Sequence, residues 1–521
     1  MKIKTAFLVG AFLCASALYS SPIYWDFPRD GNCHEGLAFS DGITGVLVWG
    51  GDDVLKITVG RGDLWDHRGG YPWTEAQSYT NIVAAVASGD RDRLYSLFKK
   101  NTPPGEPNNP FLVSLGRVVV KIDGAKLLSG ELDPKTGLGA LYYLAKGVTN
   151  KISLAMAKSP RAFAVDFPRS QSVSIDTIPA IETSEVKKAL GKIGYGPAVR
   201  IAPRKKIEGG FYWPMPEDKA VQLRWEMKDT SLFIGTSRGD ERMEFPDNCT
   251  FEGVRNSSIA QWTEFWKEGA SVNVPDSTIQ RMFDYGMYRF GAMTDPDGFP
   301  AGLQGPWLED DQLVPWNGDY HFNINVQECY SPAYRGGHFN HLMPLFKMVL
   351  SWKERLADNA RKFAGVEGYV LPHSVDDRGT CIGGFWTGTI DHGSTAWVAS
   401  MMFRYVKYSR DIKFLREHAY DFMAGAMRVY RAMMEERGAR LTLPLGPSPE
   451  WGASYVEKAV GRDPSFLVLH DGEDLVHNVL LQHRLLLLQQ CGAGIQLAQI
   501  RGVGVITQSE LRDTKCVTGV A

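Results

Sequence analysis

The sequence predicts a multidomain α+β protein in which a β-sandwich at residues 22–260 precedes a helical domain. Two patterns support this prediction. Up to about residue 260, short apolar runs alternate with turns rich in Gly and Pro, which is typical of antiparallel strands. Beyond that point, apolar residues recur with the 3.6-residue period of amphipathic helices. The length of 521 residues and the apolar content of 44% are sufficient for more than one hydrophobic core.

The first 21 residues have the layout of a secretory signal peptide. Lys2 and Lys4 precede an apolar run over residues 6–18, and small residues at 15–17 suit cleavage. This run is shorter than the roughly 18–20 residues that a membrane-spanning helix needs, and no later run reaches that length. We therefore expect a secreted or periplasmic protein without a membrane span.

A hairpin and further short strands justify the β-sandwich. Residues 43–49 and 54–59 flank Gly50-Gly51-Asp52-Asp53, a turn sequence that suits a tight hairpin. Residues 117–122 form another apolar run, which ends at the turn signal Asp123-Gly124. The density of such turns favours a sandwich over alternating β-α-β units.

The helical pattern begins in a linker at residues 261–280 and continues through a domain at residues 281–466. Asp276 can cap a helix whose apolar positions follow a 3.6-residue repeat, namely Ile279, Met282, Phe283 and Phe290. These positions predict one helix with an apolar face toward the core.

Three further segments of this domain predict helices. A long apolar stripe that should end at Gly365 consists of Leu345, Val349, Trp352, Leu356, Ala360 and Phe363. Residues 396–405 and 421–436 predict two more helices, and Gly438 should stop the second.

Long irregular loops at residues 302–341, 371–392 and 441–455 separate these helices and hold many Gly, Pro, Trp, His and Asp residues. Loops on a rigid scaffold commonly carry binding sites. Within the first loop, residues 316–330 concentrate neutral hydrogen-bonding side chains between aromatic residues, which indicates the wall of a sugar site.

If the backbone of residues 321–326 is extended, this wall has two faces. Alternation would place Phe322, Ile324 and Val326 on the buried face. The opposite face would then present His321, Asn323 and Asn325 to a carbohydrate and its attacking water.

Composition and charge exclude several function classes. The 57 basic and 59 acidic residues give a net charge of −2, and no basic stripe with interleaved aromatic residues indicates a nucleic-acid partner. The 14 Trp residues suit stacking on sugar rings, although they equally suit a large core. After Cys14, the six remaining cysteines are scattered without a Cys-x-x-Cys pair, so we expect neither a disulfide scaffold nor a zinc site.

No metal or other cofactor is expected. His373, Asp376 and Asp377 are the residues that come closest to a ligand set, but the sequence offers no third type of ligand at a useful spacing.

The last segment, residues 467–521, differs from the rest. It contains no Phe, Tyr, Trp, Pro or Met, and Phe466 is the last aromatic residue of the chain. The hypothesis is that the native reading is lost after Phe466, through a frameshift or a mis-assigned gene end, and that this tail is disordered. The alternative is an aromatic-poor terminal helix around residues 475–490.

Several blocks resemble glycoside hydrolase family 95, the inverting α-L-fucosidases and α-L-galactosidases, over roughly residues 30–466. Residues 316–327 carry the most specific likeness, to a Trp-(Gly)-x-Asp-Tyr-His-x-Asn-Ile-Asn-x-Gln motif. Leu303-Gln304-Gly305-Pro306-Trp307, Ser448-Pro449-Glu450 and Asp63-Leu64-Trp65 are similar to further family blocks in the expected order.

The resemblance implies an N-terminal β-sandwich, a helical linker and a six-hairpin (α/α)6 barrel, of which this chain would hold a part. It implies that Asn323 and Asn325 hold the nucleophilic water and that Glu450 protonates the leaving oxygen. His321 would contact the sugar. We further expect that the pocket lining includes Trp307, Trp316, Trp386, His373 and His392.

One part of the family pattern has no counterpart here. The resemblance implies a downstream aspartate as general base, and no residue matches it. About 190 residues separate Asp276 from Phe466, and twelve barrel helices with their loops need roughly twice that length. We therefore expect a truncated chain with impaired catalysis and exposed apolar helix faces.

Two alternatives stay open. One is a non-catalytic carbohydrate-binding protein, which would bind a glycan without cleaving it. The other is a different (α/α)6 hydrolase or a phosphorylase, which a second catalytic Glu or a basic cluster opposite Glu450 would favour. The partner is an oligosaccharide or polysaccharide in each case, and the sequence leaves the sugar, the linkage and the oligomeric state open.

Overall fold

Antiparallel strands occupy the first part of the chain and helices the second. The computed structural model describes residues 22–27, 31–203, 207–239, 243–383, 386–391, 393–437 and 440–446. The expected signal peptide, His392, Glu450 and the tail at 467–521 lie outside these described residues.

The strands form mainly before residue 239, where turn signals recur. In chain order they are β1 (Ile23–Asp26), β2 (Leu37–Ser40), β3 (Thr44–Gly51), β4 (Val54–Arg61), β5 (Trp65–Asp66), β6 (Phe111–Leu112), β7 (Gly116–Ile122), β8 (Ala125–Asp133), β9 (Leu138–Ala145), β10 (Val148–Lys158), β11 (Arg161–Asp166), β12 (Val173–Pro179), β13 (Val199–Arg200), β14 (Glu208–Trp213), β15 (Val221–Lys228) and β16 (Ser231–Arg238). Three helices interrupt them, α1 (Tyr79–Ala87), α2 (Arg91–Ser96) and α3 (Ser184–Gly191).

Two antiparallel sheets organise this β-rich region. The larger has the order β1-β8-β9-β10-β11-β16-β15-β14-β13, and the smaller has the order β12-β7-β4-β3-β2. The sheets contact each other, since the rings of Phe39 and Phe163 lie 5.2 Å apart and the hydroxyls of Thr44 and Thr236 are hydrogen-bonded at 2.9 Å. The predicted hairpin is confirmed, because β3 and β4 pair around Asp52 and Asp53.

Helices dominate after residue 250. They are α4 (Phe251–Glu268), α5 (Ser277–Met293), α6 (Asn325–Tyr330), α7 (Pro332–Gly336), α8 (Met343–Ser351), α9 (Lys353–Ala364), α10 (Trp386–Thr389), α11 (Gly393–Ser409), α12 (Ile412–Phe414) and α13 (Tyr420–Met433). Two short antiparallel strand pairs lie among them, β17 (Tyr320–His321) with β18 (Ser374–Val375) and β19 (Glu435–Arg437) with β20 (Arg440–Thr442). In the described part of the chain, no helix has the length and apolarity to cross a bilayer.

Helix α5 begins as predicted but does not bury the whole predicted stripe. The Asp276 carboxylate accepts hydrogen bonds from two backbone N–H groups of the first turn, as an N-cap should. Phe290 is buried, whereas Ile279 and Met282 are 54% and 70% exposed. The reason is that α5 packs on the β-rich region through its C-terminal half, where the Tyr288 hydroxyl donates to the Ala38 carbonyl at 3.0 Å.

The long apolar stripe lies in two helices instead of one. All six of its side chains are buried, but α8 ends at Ser351 and α9 starts at Lys353. Trp352 lies at the break, and its indole donates to the Asp377 carbonyl at 3.0 Å. Gly365 ends α9 in the left-handed conformation with φ of 68°, as predicted.

Helix α13 ends earlier than predicted. It stops at Met433 instead of Glu436, because residues 435–437 leave the helix and pair with residues 440–442 as a hairpin. The strand pairing replaces the helical hydrogen bonds that these residues would otherwise make.

The loop at residues 302–312 rests directly on the smaller sheet. Gly45 and Gly60 are register partners on β3 and β4, and the Pro306 carbonyl oxygen lies above both. A Cβ added to Gly45 or Gly60 would lie only 2.2 or 2.6 Å from that oxygen. The Trp307 indole donates to the Phe39 carbonyl of β2 at 2.8 Å. The sheet surface and the loop are therefore in contact without intervening side chains.

A buried ion pair also joins the two regions. The Lys135 ammonium, in the turn between β8 and β9, lies 2.7 Å from the Asp284 carboxylate on α5. Their side chains are 14% and 4% exposed. The ammonium also lies 3.3 Å from the ring centre of Trp266 on α4, so one cation contacts both helices.

Replacement of this cation should destabilise the protein. We expect that Lys135→Met lowers the free energy of unfolding by about 3–5 kcal/mol, because the Asp284 carboxylate stays buried without its partner. Urea unfolding followed by tryptophan fluorescence measures the change. Lys267→Met is the control, since Lys267 and its partner Glu264 are 74% and 59% exposed. Equal effects of the two substitutions would contradict this account of the pair.

Candidate active site

The segment expected to form an extended sugar wall is a strand that turns into a helix. Strand β17 ends at His321, residues 322–324 form turns, and α6 starts at Asn325. The expectation of one polar and one apolar face is therefore wrong. Ile324, expected on the buried face, is 44% exposed, whereas Phe322 and Val326 are fully buried.

Two hydrogen bonds explain why the backbone turns. The Gln327 side-chain amide donates to the Phe322 carbonyl at 2.7 Å, and the Glu328 N–H donates to the Ile324 carbonyl at 2.9 Å. Both bonds draw the backbone back onto itself and close the first turn of α6. Local alternation of residue types carries no information about these bonds.

An exposed aromatic ring lies beside the start of this segment. Trp316 and Asn317 both have left-handed backbones, with φ of 53° and 63°. The Asn317 side chain donates to the Pro110 carbonyl at 3.1 Å, which holds the turn in place. Trp316 is 69% exposed, and its ring lies edge-on to the His321 ring at 6.0 Å. An exposed indole held by a constrained turn suits stacking on a sugar ring.

A buried carboxylate orients His321. The Asp319 carboxylate lies 2.9 Å from His321 Nδ1 and also accepts a hydrogen bond from the Ser374 hydroxyl on β18. Burial raises the pKa of Asp319, although the hydrogen bond and charge of His321 oppose this effect. The carboxylate fixes the ring orientation of His321 in the way that carboxylate–histidine pairs commonly do.

His373 extends this pair into a chain of four residues. The Nε2 atoms of His321 and His373 lie 2.7 Å apart, and His373 Nδ1 lies 3.3 Å from Asp391 Oδ2. A hydrogen bond between two ring nitrogens requires that one nitrogen carry the proton and the other accept it. Both ring nitrogens of His321 are thus engaged within the protein, in the order Asp319, His321, His373, Asp391.

Asn323 has a buried amide oxygen that lacks a hydrogen-bond partner among the described residues. A buried acceptor left in this state costs about 1–3 kcal/mol, so a bound hydroxyl or water would be stabilised there. Asn325 starts α6 two residues later and is partly buried. The two amides lie on a turn and on a helix start, not on one strand face, and both border the exposed Ile324.

Two predicted pocket tryptophans lie in the core. Trp307 is 2% exposed; its indole N–H donates to the Phe39 carbonyl, and the Arg289 guanidinium lies over the ring, 3.9 Å from its centre. Trp386 is 4% exposed and belongs to a buried cluster that includes Trp73 and Phe363. Neither ring presents a face to a ligand in this structure. Glu450 and His392 lie outside the described residues.

Asp376 and Asp377 meet a histidine other than the neighbouring His373. His67, which follows β5, lies 2.6 Å from Asp377 through Nε2 and 2.6 Å from Asp218 through Nδ1. Burial alone would lower the pKa of His67, but the two carboxylates raise it. Donor atoms of His67, Asp376 and Asp377 lie within 4.8 Å of one another, which is a geometry that can hold a metal ion.

Sequence reasoning missed Asp319, Asp391 and His67. Asp319 had a usable signal, since an Asp-x-His spacing in an extended segment places both side chains on the same face. His67 had none, because 310 residues separate it from Asp377.

Comparisons with known proteins point to the same family as the motifs. Residues 255–466 match the Glycosyl hydrolase family 95 catalytic domain. The chain is 30% identical over 187 residues to "Probable alpha-fucosidase A" of Aspergillus niger, which covers 34% of this chain and 24% of that protein. It is 30% identical over 160 residues to "Alpha-L-fucosidase 2" of Arabidopsis thaliana, covering 29% and 18%. The chain thus spans less than a quarter of the length of these relatives.

A solved structure is similar in fold. "Putative kojibiose phosphorylase from human microbiome" has a TM-score of 0.54 and 9% identity, and the match covers 89% of this chain and 70% of that one. The identity is too low for any inference beyond the arrangement of a β-rich and a helical region. Residues 255–466 are thus similar to the catalytic domain of glycoside hydrolase family 95, and the two fucosidase relatives support the same family.

Proposed function

We propose that this chain is a secreted glycoside hydrolase that removes terminal α-L-fucosyl or α-L-galactosyl residues from glycans with inversion of configuration. The relatives' names supply the fucosyl class, and the family resemblance supplies the galactosyl alternative. One observation supports the location of the site. The buried oxygen of Asn323, without a partner among the described residues, lies in the segment that resembles the family's water-holding motif.

An inverting hydrolase needs two groups on opposite faces of the sugar ring, with carboxyl groups about 6.5–9.5 Å apart. In the proposal, Asn323 and Asn325 hold the nucleophilic water on one face, and Glu450 protonates the leaving oxygen on the other. An amide oxygen accepts a hydrogen bond from the attacking water and so orients a lone pair of that water toward the sugar. The amide takes up no proton at neutral pH. The resemblance assigns the proton of the attacking water to a downstream aspartate. No residue of this chain matches that aspartate, so solvent water takes up the proton here and turnover is slow.

The surroundings of the two asparagines suit a sugar. Trp316 supplies an exposed aromatic face, and His321 supplies the ring edge beside it. Because both nitrogens of His321 are already hydrogen-bonded to Asp319 and His373, a direct hydrogen bond to the substrate requires that the sugar hydroxyl replace His373. The N-terminal sandwich and the part-formed (α/α)6 barrel of the family would frame this pocket.

The proposal predicts the stereochemistry of the product. We expect that the purified chain, at high concentration, slowly releases sugar from aryl α-L-fucoside or α-L-galactoside, and that proton NMR detects the β-anomer first because water attacks opposite the leaving group. Aryl α-D-glucoside is the matched control and should stay intact. Release of the α-anomer first would contradict inversion. Saturable fucoside binding without release would favour the non-catalytic carbohydrate-binding alternative.

The role of Asn323 predicts a selective loss of turnover. We expect that Asn323→Ala lowers kcat by about 10²-fold or more, because the attacking water loses the acceptor that orients it. The melting temperature should change little, since the amide oxygen bonds to no described residue. Aryl fucoside kinetics and thermal unfolding measure the two effects.

Asn256→Ala is the control for this substitution, because Asn256 is an exposed residue of α4 and lies outside the proposed pocket segment. Its kcat should stay unchanged. An equal loss in both variants, or an unchanged kcat in Asn323→Ala, would remove Asn323 from the proposed reaction.

A further inference from the structure

We propose that His67, Asp376 and Asp377 bind a divalent transition-metal ion of the Zn²⁺ type, which links the β-rich region to the loop that carries β18. The proposal is independent of the hydrolase assignment. It rests on the convergence of these donors and on a buried carboxylate oxygen among them.

The convergence joins distant parts of the chain. His67 follows β5 in the β-rich region, and Asp376 and Asp377 follow β18 in the helical region. One donor atom from each residue lies within 4.8 Å of the other two. A tetrahedral ion with bonds of about 2.0–2.1 Å holds its donors roughly 3.4 Å apart, so small side-chain rotations bring the three into place.

Asp376 supplies the second and independent observation. The residue is 0% exposed, and its Oδ1 accepts hydrogen bonds from the N–H groups of Arg378 and Thr380 at 2.9 and 2.6 Å. Its Oδ2 is buried and has no partner among the described residues. Burial and the charge of Asp377 raise the pKa of Asp376, while the two backbone hydrogen bonds lower it. A buried carboxylate oxygen of this kind is stabilised by a cation.

The remaining charges nearby are already paired. Asp218 lies against His67 Nδ1 and accepts from the Arg378 guanidinium at 3.3 Å, and Arg238 donates to the Asp63 carbonyl. The acids available to an ion are then Asp376, through its unpartnered Oδ2, and Asp377, whose contact with His67 Nε2 the ion would replace. The Asp218 contact at Nδ1 also orients His67 with Nε2 toward the cluster, as an outer carboxylate does for metal-bound histidines.

The donor set indicates the class of ion. One imidazole nitrogen with two carboxylate oxygens suits Zn²⁺ and similar first-row ions, whereas Ca²⁺ and Mg²⁺ prefer oxygen donors alone. His67 and Asp377 keep 11% and 16% of their side-chain surface exposed, so an ion can reach the cluster from solvent. Water would complete the coordination.

The location gives the ion a structural role. β18 pairs with β17, in which His321 lies, and Ser374 of β18 donates to Asp319. An ion held at Asp376 and Asp377 would therefore fix the strand beside the proposed sugar site to the β-rich region. In the absence of the ion, His67 would bridge Asp218 and Asp377 as an imidazolium.

Calorimetric titration of the chelator-treated full chain with ZnCl2 tests the proposal, with CaCl2 in a parallel titration. We expect one equivalent of Zn²⁺ to bind, a higher melting temperature with Zn²⁺, and weaker binding as the pH falls, because protons compete for His67. Asp376→Asn should lower the affinity by more than the about 10–100-fold that loss of an outer-sphere partner costs.

Asp358→Asn is the control, because Asp358 is a half-exposed acid paired with Lys362 on α9. His67→Gln provides a second ligand variant if Asp376→Asn fails to fold. No Zn²⁺ binding, Zn²⁺ binding that both ligand variants retain, or selective Ca²⁺ binding would each overturn the proposal.

Discussion

The contact of the Pro306 carbonyl with the Gly45 and Gly60 pair is the constraint on which the rest of the structure depends. The two glycines are opposite each other on β3 and β4, and any side chain at either position would meet backbone. Because both residues are glycines, the loop backbone can pack directly against the sheet backbone. The adjacent Trp307 then completes the attachment by its hydrogen bond to β2.

The consequences of this contact extend along the loop to the candidate site. Four residues after Pro306, Asp310 is 1% exposed and binds the Arg117 guanidinium of β7, and it accepts a hydrogen bond from Thr58 of β4. The loop is thus attached twice to the smaller sheet before it reaches the left-handed turn at Trp316. A firmly attached loop can hold Trp316 exposed and Asp319 buried within a few residues, which a mobile loop could not.

Local signals in the sequence predict local structure well. The Gly-Gly-Asp-Asp turn, the Asp276 cap and the Gly365 terminus are each specified by a few adjacent residues, and each is present. The order of β-rich and helical regions follows from the same signals, because the period of the apolar residues changes between them.

The candidate site depends on contacts that the sequence does not encode locally. His321 meets His373 across 52 residues, and His67 meets Asp377 across 310. The alternation at residues 321–326 predicted a strand, but the side-chain amide of Gln327 turns the backbone and re-aims both asparagines. The family motif supplied candidate residues, whereas the hydrogen bond of Gln327 to the Phe322 carbonyl decides which way their side chains face. Glycine positions such as Gly45 and Gly60 gave no sign that a loop far along the chain would cover them.

Hydrogen exchange of the full chain with and without an uncleavable α-L-thiofucoside tests the central claim most directly. The claim is that residues 316–326 form the sugar-binding wall beside the buried oxygen of Asn323. We expect slower amide exchange over these residues on ligand binding, with no change on the exposed α4 surface. Saturable binding that leaves exchange at 316–326 unchanged, or that protects another segment instead, would contradict the account.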